Sequence, residues 1–172
     1  VCFSALPNAI DRTILLGGFS KDYAMTGWRV GYICANAELT AAFYRVHQYA
    51  VMSAPSISQY AALEAIKNGE KYVLEMQAEY DRRLKLVVFS LNEIGLDCFE
   101  PKGAFYAFPS VAKTGLSGDE FAERLLLDEK VAVIPGSAFG AGGENHVRIA
   151  YCKGYDQLEI AIARIRYFAE KF

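Results

Sequence analysis

The spacing of apolar residues predicts amphipathic helices in the middle and at the end of the chain. Apolar side chains recur every three or four positions, which places them on one face of a helix. The longest stretch lies between Gly69 and Gly95, where one face stays apolar for about seven turns. The apolar positions are Leu39, Phe43, Val46 and Ala50; Val73, Met76, Tyr80, Leu84, Val87, Leu91 and Ile94; and Leu158, Ile162, Ile165, Ala169 and Phe172.

Capping residues predict where the helices begin. Asn36 precedes the first periodic stretch and is a residue type favoured as an N-cap. Other starts carry a polar residue followed three positions later by Glu or Gln, which is the capping-box pattern. These pairs are Ser56 with Gln59, Ser117 with Glu120, and Asp156 with Glu159. We expect the helices after the first two pairs to end near Lys67 and Lys130.

Short apolar runs between the helices predict β-strands. The runs cover residues 13–19, 30–35, 96–99, 104–108, 131–134 and 145–150. Several are bounded by glycine or proline, which interrupt regular structure, and residues 101–103 form a turn signal. Strands and helices in this order predict an α/β fold: the end of a large α/β domain, followed by a smaller α+β domain.

Composition and charge narrow the class of protein. Apolar residues make up 53% and charged residues 22%, as in an ordinary globular protein. The formal net charge of -2 gives no reason to expect nucleic acid or an anionic membrane as a partner. No membrane span or signal peptide is visible, so we expect a cytoplasmic protein. The cysteines are Cys2, Cys34, Cys98 and Cys152, which form no metal or redox motif; we expect buried, reduced thiols and no metal site.

One segment, residues 17–31, is built to present a lysine to a ligand. Lys21 and Arg29 lie in it, between two predicted strands, and glycines let the backbone turn tightly and approach a ligand closely. The segment matches a known signature at eight positions: Gly18, Phe19, Ser20, Lys21, Gly27, Arg29, Val30 and Gly31. This segment resembles the lysine motif of the class I/II aminotransferases, which are pyridoxal 5'-phosphate (PLP) enzymes of fold type I.

The resemblance implies a function and a set of site residues. Lys21 would be the Schiff-base lysine and the general base, moving a proton between the substrate α-carbon and the cofactor's C4′ carbon. Arg29, Gly18 and Ser20 would complete the cofactor site, with Arg29 on the phosphate. The reaction would transfer an amino group between an L-amino acid, of aspartate, alanine or aromatic type, and a 2-oxo acid in amino-acid metabolism.

A second candidate residue is Arg148, which lies between Val147 and Ile149 in a predicted strand. A charge at such a position either faces solvent or meets a carboxylate. The end of the chain is similar to the family's C-terminal motif, at Pro135, Gly136, Phe139, Gly140, Arg148 and Ile149. In the family, the arginine of this motif binds the substrate α-carboxylate with two parallel hydrogen bonds. The glycine-rich run at residues 136–143 is not interpreted as a nucleotide loop, because a strand pattern follows it and not a helix.

The resemblance also implies a domain plan and a dimer. Residues 1–35 would end the PLP-binding large domain, residues 36–68 would be inter-domain helices, and residues 69–172 would form the small C-terminal domain. We expect a homodimer, with Ser53, Ser56 and Ser58 near the neighbouring subunit's active site. Relatives are about twice as long or more, so we expect a C-terminal portion that alone binds PLP weakly and is inactive.

The sequence departs from the family pattern in ways that leave other functions open. Gly18 stands where many relatives have a serine that binds phosphate, and the upstream family residues, an Asp and a Tyr among them, cannot be located in residues 1–20. A PLP-dependent carbon-sulfur lyase on the same fold is one alternative. A non-catalytic aminotransferase-like module for binding or dimerisation is another.

Overall fold

The computed structural model describes residues 2–172, and their contacts divide the chain into two compact units. One unit ends at Glu75 and the other is Met76–Phe172. The helices are α1 (Phe19–Asp22), α2 (Ala37–Ala50), α3 (Ser56–Asn68), α4 (Glu70–Ile94), α5 (Gly118–Glu129) and α6 (Tyr155–Ala169). The strands are β1 (Leu15–Gly18), β2 (Gly31–Cys34), β3 (Tyr106–Ala107), β4 (Ile134–Pro135) and β5 (Val147–Ala150).

Two of the predicted helix starts are confirmed by their hydrogen bonds. The Asn36 side chain accepts a bond from the backbone N–H of Leu39 at 2.9 Å, which caps α2. At α5 the capping box is complete: Glu120 N–H donates to the Ser117 hydroxyl at 3.2 Å, and Ser117 N–H donates to the Glu120 carboxylate at 3.0 Å. The backbone N–H and the hydroxyl of Ser117 lower the pKa of Glu120, because both stabilise its charged form.

The other two predicted caps are wrong. Ser56 is already the first helical residue of α3, and the extended residue before it is Pro55, which has no side chain able to cap. Gln59 instead donates from its amide to the carbonyl of Ala54 at 2.8 Å. Likewise α6 begins after Gly154, so Asp156 lies within its first turn, where a carboxylate still interacts favourably with the helix dipole.

The predicted strand at residues 96–99 is also wrong, because a side chain takes the place of a neighbouring strand. The amide of Asn92 donates to the carbonyl of Cys98 at 2.9 Å and accepts from the Cys98 N–H at 3.0 Å. Both backbone groups of Cys98 are thereby satisfied without a ladder partner. The segment that follows α4 therefore turns back along the helix end as an irregular connection.

The remaining strands form two small antiparallel sheets, one in each unit. In the first, β1 pairs with β2 so that Gly18 faces Gly31. In the second, the order is β3-β5-β4. The run at residues 131–134 contributes only its last residue to β4, which continues to Pro135; this strand lies at an edge, where a missing N–H is tolerated.

Each unit has its own apolar core. The core of Met76–Phe172 lies where α4, α5 and α6 cover one face of the three-stranded sheet, and it includes an edge-to-face pair between Phe121 and Phe168 with ring centroids 5.2 Å apart. A smaller cluster in the first unit joins Phe19, Met25 and Ala62. Two ion pairs between residues four positions apart lie along α4, Glu79 with Arg83 at 2.8 Å and Asp81 with Lys85 at 2.5 Å.

The cysteines differ from the expectation of buried thiols. Only Cys98 is buried among them, and burial raises the pKa of its thiol because the thiolate is poorly solvated there. Cys2, Cys34 and Cys152 are exposed, and all of these thiols are free. Within residues 2–172, no helix combines the length and the apolar character that crossing a membrane requires.

Candidate active site

The lysine segment begins at the junction of β1 and α1. The chain turns at Gly18 into the single turn of α1, which carries Ser20 and Lys21. Phe19 points inward and packs with Met25 against Ala62 of α3. The backbone N–H groups of Tyr23 and Met25 both donate to the carbonyl of Phe19 and close the turn. With Phe19 anchored in this way, Lys21 is presented on the exposed side of α1.

Arg29 lies at the same end of the β1–β2 sheet as Lys21. Gly18 is paired with Gly31, and one residue further the N–H of Phe19 donates to the carbonyl of Val30 at 3.4 Å. Arg29 immediately precedes this pairing. Its backbone is left-handed, with φ 53° and ψ 49°, and one guanidinium N–H donates to the carbonyl of Thr26 at 2.9 Å. The cationic groups of the lysine segment are thus carried by chain segments that meet at one sheet end.

The two adjacent glycines of β1 have different surroundings. A Cβ at Gly17 would lie 2.2 Å from the ring of Tyr32, so a side chain there would displace that ring. A Cβ at Gly18 would meet nothing within 4 Å, and its backbone is extended, with φ -151° and ψ 143°. Gly18 therefore leaves open space beside its own backbone at the start of the lysine turn.

Arg148 lies in the other unit, on the strand β5. Its neighbours Val147 and Ile149 point to the opposite face of the sheet and pack in the core, which leaves Arg148 on the outer face. The guanidinium carbon lies 4.4 Å from the ring centroid of Tyr106 and 4.6 Å from that of Phe139. No ion pair of residues 2–172 includes Arg148.

These surroundings add ring contacts to the alternatives drawn from the sequence, and the contact with a substrate carboxylate stays a prediction. Arg148 neither points freely into solvent nor meets a carboxylate of the described chain; it is half-buried between two aromatic rings. Sequence reasoning included Phe139 in a motif but did not connect it, or Tyr106, with the arginine. The alternation of Val147, Arg148 and Ile149 could have predicted these contacts. It places Arg148 on the outer face of the sheet, where it meets outward-facing residues of the strand paired with β5.

The glycine-rich run after β4 is a compact turn that leads into β5. Residues Gly136–Phe139 form a 3-10 turn, and the predicted strand follows at Val147. Gly136 approaches the backbone so closely that a Cβ there would lie 2.3 Å from the carbonyl oxygen of Gly143. The N–H of Gly136 also donates to the carbonyl of His146 at 2.7 Å. The role of this glycine is to let two backbone segments touch, and the turn it permits brings Phe139 to Arg148.

The serines of the bend before α3 differ in exposure. Ser53 and Ser56 are exposed, whereas Ser58 is buried one turn before Ala62 on α3. Their proximity to a neighbouring subunit stays a prediction, and so do the roles of Lys21 and Arg148.

Comparison with known proteins identifies the family. The model of the family "aminotransferase class I and II" matches residues 4–165. YugH of Bacillus subtilis, whose name says aminotransferase and gives no substrate, is 51% identical over 98% of this chain and 44% of its own length. The aspartate aminotransferase of Pyrococcus abyssi is 46% identical over 94% of this chain and 42% of its own length.

A solved structure, that of an aromatic aminotransferase from Pyrococcus horikoshii, matches with a TM-score of 0.93 and 44% identity, over 98% of this chain and 45% of that one. The chain thus spans less than half the length of these relatives. Its fold, as the resemblance implied, is the matching part of a fold type I aminotransferase. Because the family model covers most of its residues, the chain belongs to the class I and II aminotransferases.

Proposed function

We propose that the natural full-length protein is a PLP-dependent aminotransferase that exchanges the amino group of an L-amino acid with a 2-oxo acid. The observation that carries this proposal is the lysine turn: Lys21 is exposed on a short helix whose anchor is buried, and Arg29 lies at the same end of the sheet. Membership of the family and the length of the motif match support the same function.

The residues of the lysine turn fit the chemical groups of PLP. The cofactor has an aldehyde, which reacts with an amine, and a phosphate, which needs cations and N–H donors. Lys21 supplies the amine, and Arg29 supplies a fork of N–H donors suited to phosphate. The open space at Gly18 lets an anion approach the backbone N–H groups of the turn that includes Ser20.

The reaction requires proton transfer and substrate binding from the protein itself. Nζ of Lys21 would take the proton from the substrate α-carbon, as general base. Arg148 would bind the substrate α-carboxylate through two N–H groups, and no carboxylate of residues 2–172 competes for them. When bound, PLP would supply the electron sink that stabilises the deprotonated carbon.

The relatives support part of the proposed substrate class. The similar proteins include aspartate aminotransferases and an aromatic-amino-acid aminotransferase. We propose aspartate, alanine or an aromatic amino acid as donor; the relatives support the first and the last of these, and alanine rests on the resemblance of the lysine motif alone. We also propose that the full-length protein is a cytoplasmic homodimer. In this chain, residues 1–35 would belong to the large domain, residues 36–68 to the inter-domain helices and residues 69–172 to the small domain.

Reductive labelling tests the assignment of Lys21. The natural full-length protein is incubated with PLP, reduced with borohydride, digested and analysed by mass spectrometry. We expect one pyridoxyl group, attached to Lys21, because reduction traps the cofactor on the amine that binds it. A label spread over surface lysines such as Lys102 would show that Lys21 does not hold the cofactor.

A second prediction concerns Gly18, where a side chain fits. Gly18→Ser places a hydroxyl at the start of the lysine turn, and we expect it to tighten PLP binding about 10-fold, since a hydrogen bond to a charged group contributes about 1.5 kcal/mol. Cofactor dissociation is measured by fluorescence titration after removal of PLP. The matched control is Gly17→Ser, where the new side chain collides with Tyr32 and should not tighten binding. Equal or weaker binding by Gly18→Ser would contradict a phosphate site here.

A further inference from the structure

The rings of Tyr106 and Phe139 hold the guanidinium of Arg148 between them. The rings come from separate segments: Tyr106 lies on β3, and Phe139 ends the turn Gly136–Phe139. The guanidinium carbon lies over both ring faces, at 4.4 Å and 4.6 Å from their centroids. A cation over the face of an aromatic ring is attracted by the ring's electron density. Arg148 is thus restrained by two groups that are not acidic.

Both rings are themselves supported by other aromatic side chains. Tyr106 packs on Phe105 with centroids 4.6 Å apart, and Phe105 stacks on Tyr80 of α4. Phe139 lies edge-on to Phe108 at 6.1 Å. Phe108 in turn stacks on His146 at 5.2 Å, with an interplanar angle of 7°. Because each ring has its own aromatic neighbour, the fold of this unit helps to set where the rings, and with them the guanidinium of Arg148, lie.

This kind of restraint leaves the hydrogen-bond donors of the arginine available. A salt bridge would occupy the N–H groups that a substrate carboxylate needs, whereas a ring contact uses the charge of the guanidinium. An arginine side chain has several rotatable bonds, and fixing them costs free energy at the moment of binding. A guanidinium that is already restrained loses less of this freedom when a carboxylate arrives.

We propose that Tyr106 and Phe139 are positioning residues, which orient the guanidinium of Arg148 for the α-carboxylate of the substrate. This inference rests on the proposed function, because it takes Arg148 as the carboxylate-binding residue. We expect the two rings to affect substrate binding. Removing a ring weakens the binding of the substrate α-carboxylate, which Arg148 holds equally in the ground state and the transition state. Such a loss raises KM and leaves kcat almost unchanged.

The test compares ring removal with ring retention in the natural full-length protein loaded with PLP. Tyr106→Leu and Phe139→Leu remove one ring each, and Tyr106→Phe and Phe139→Tyr retain it. Phe99→Leu is the control, since Phe99 is 69% exposed and its ring contacts no arginine among residues 2–172. We expect each Leu variant to raise the KM of the amino-acid substrate about 3- to 30-fold. The ring-retaining variants and Phe99→Leu should stay within about twofold.

A second readout is independent of activity. Phenylglyoxal modifies accessible guanidinium groups, and peptide mapping gives the rate at Arg148 in the protein without cofactor or substrate. We expect this rate to increase in both Leu variants and not in Phe99→Leu. Phe139 is 52% exposed, so its removal should leave the fold intact and keep the test decisive if Tyr106→Leu does not fold.

The outcomes separate this inference from the proposed function. Unchanged KM values in both Leu variants, in a protein that transaminates and carries its cofactor on Lys21, would overturn the positioning role alone. A fall in kcat with constant KM would also overturn it. If the unaltered protein fails to transaminate or to label at Lys21, the proposed function is wrong, and the phenylglyoxal rates then still decide whether the rings restrain Arg148.

Discussion

Replacing Lys21 by alanine in the natural full-length protein is expected to lower kcat for transamination by at least about 10³-fold. The variant loses both the amine that attaches the cofactor and the base that moves the α-proton. Because Lys21 is exposed on the single turn of α1, and because Phe19 anchors that turn, the fold should survive the change. Initial rates with 2-oxoglutarate as acceptor measure the effect, and circular dichroism checks the fold.

Two further variants make this result specific to the lysine. Lys21→Arg retains the positive charge, but a guanidinium cannot give up its proton in a protein, so this variant should be as inactive as Lys21→Ala. Lys102→Ala removes a lysine whose side chain is 87% exposed and should retain full activity. Activity within tenfold of normal in Lys21→Ala would show that another group is the base.

Removing the guanidinium of Arg148 should give the next largest effect. We expect Arg148→Leu to lower kcat/KM for the amino-acid substrate about 10²- to 10³-fold, since two charge-assisted hydrogen bonds to the carboxylate are lost. Arg148→Lys retains the charge but not the planar fork, so its loss should be smaller, about 10-fold. Steady-state kinetics measure both variants.

The controls for Arg148 address charge and cofactor binding. Arg12→Leu removes an exposed arginine that also lies over a ring, that of Phe3 at 5.7 Å, and it should leave kcat/KM unchanged. Pyridoxyl labelling of Lys21 should be unaffected by Arg148→Leu, since the predicted role of Arg148 is at the substrate. A loss of labelling together with activity would assign Arg148 to the cofactor, and unchanged kcat/KM would remove it from the site.

The sequence predicts local interactions better than distant ones, but locality alone does not decide the outcome. The capping box of Ser117 and Glu120 forms as predicted. The equally local pairs that begin at Ser56 and Asp156 do not form, because Pro55 and Gly154 occupy the N-cap positions.

The strand predicted at residues 96–99 is wrong because the Asn92 amide, six positions from Cys98, binds the backbone that a strand partner would have bound. The spacing of apolar residues, on which the strand prediction was based, does not reveal that a polar side chain such as Asn92 will bind the backbone instead.

The candidate site follows the same rule. Gly18, Ser20, Lys21 and Arg29 are close in sequence, so one motif contains all of them. The contacts of Arg148 depend on a strand and a turn that are distant from each other in sequence, namely the segments of Tyr106 and Phe139. Which residues of two strands lie side by side is set when the sheet folds. One sequence alone predicts this register, and therefore the neighbours of Arg148, only weakly.

The left-handed backbone of Arg29 has a consequence for how this protein can evolve. An arginine in that conformation costs on the order of 1 kcal/mol, which glycine would avoid. Selection for thermal stability therefore favours glycine at this position, whereas selection for a cation beside the lysine turn favours arginine. Stability and proposed function are thus in conflict at one residue, and a thermostable variant obtained by relieving backbone strain here would lose the cation.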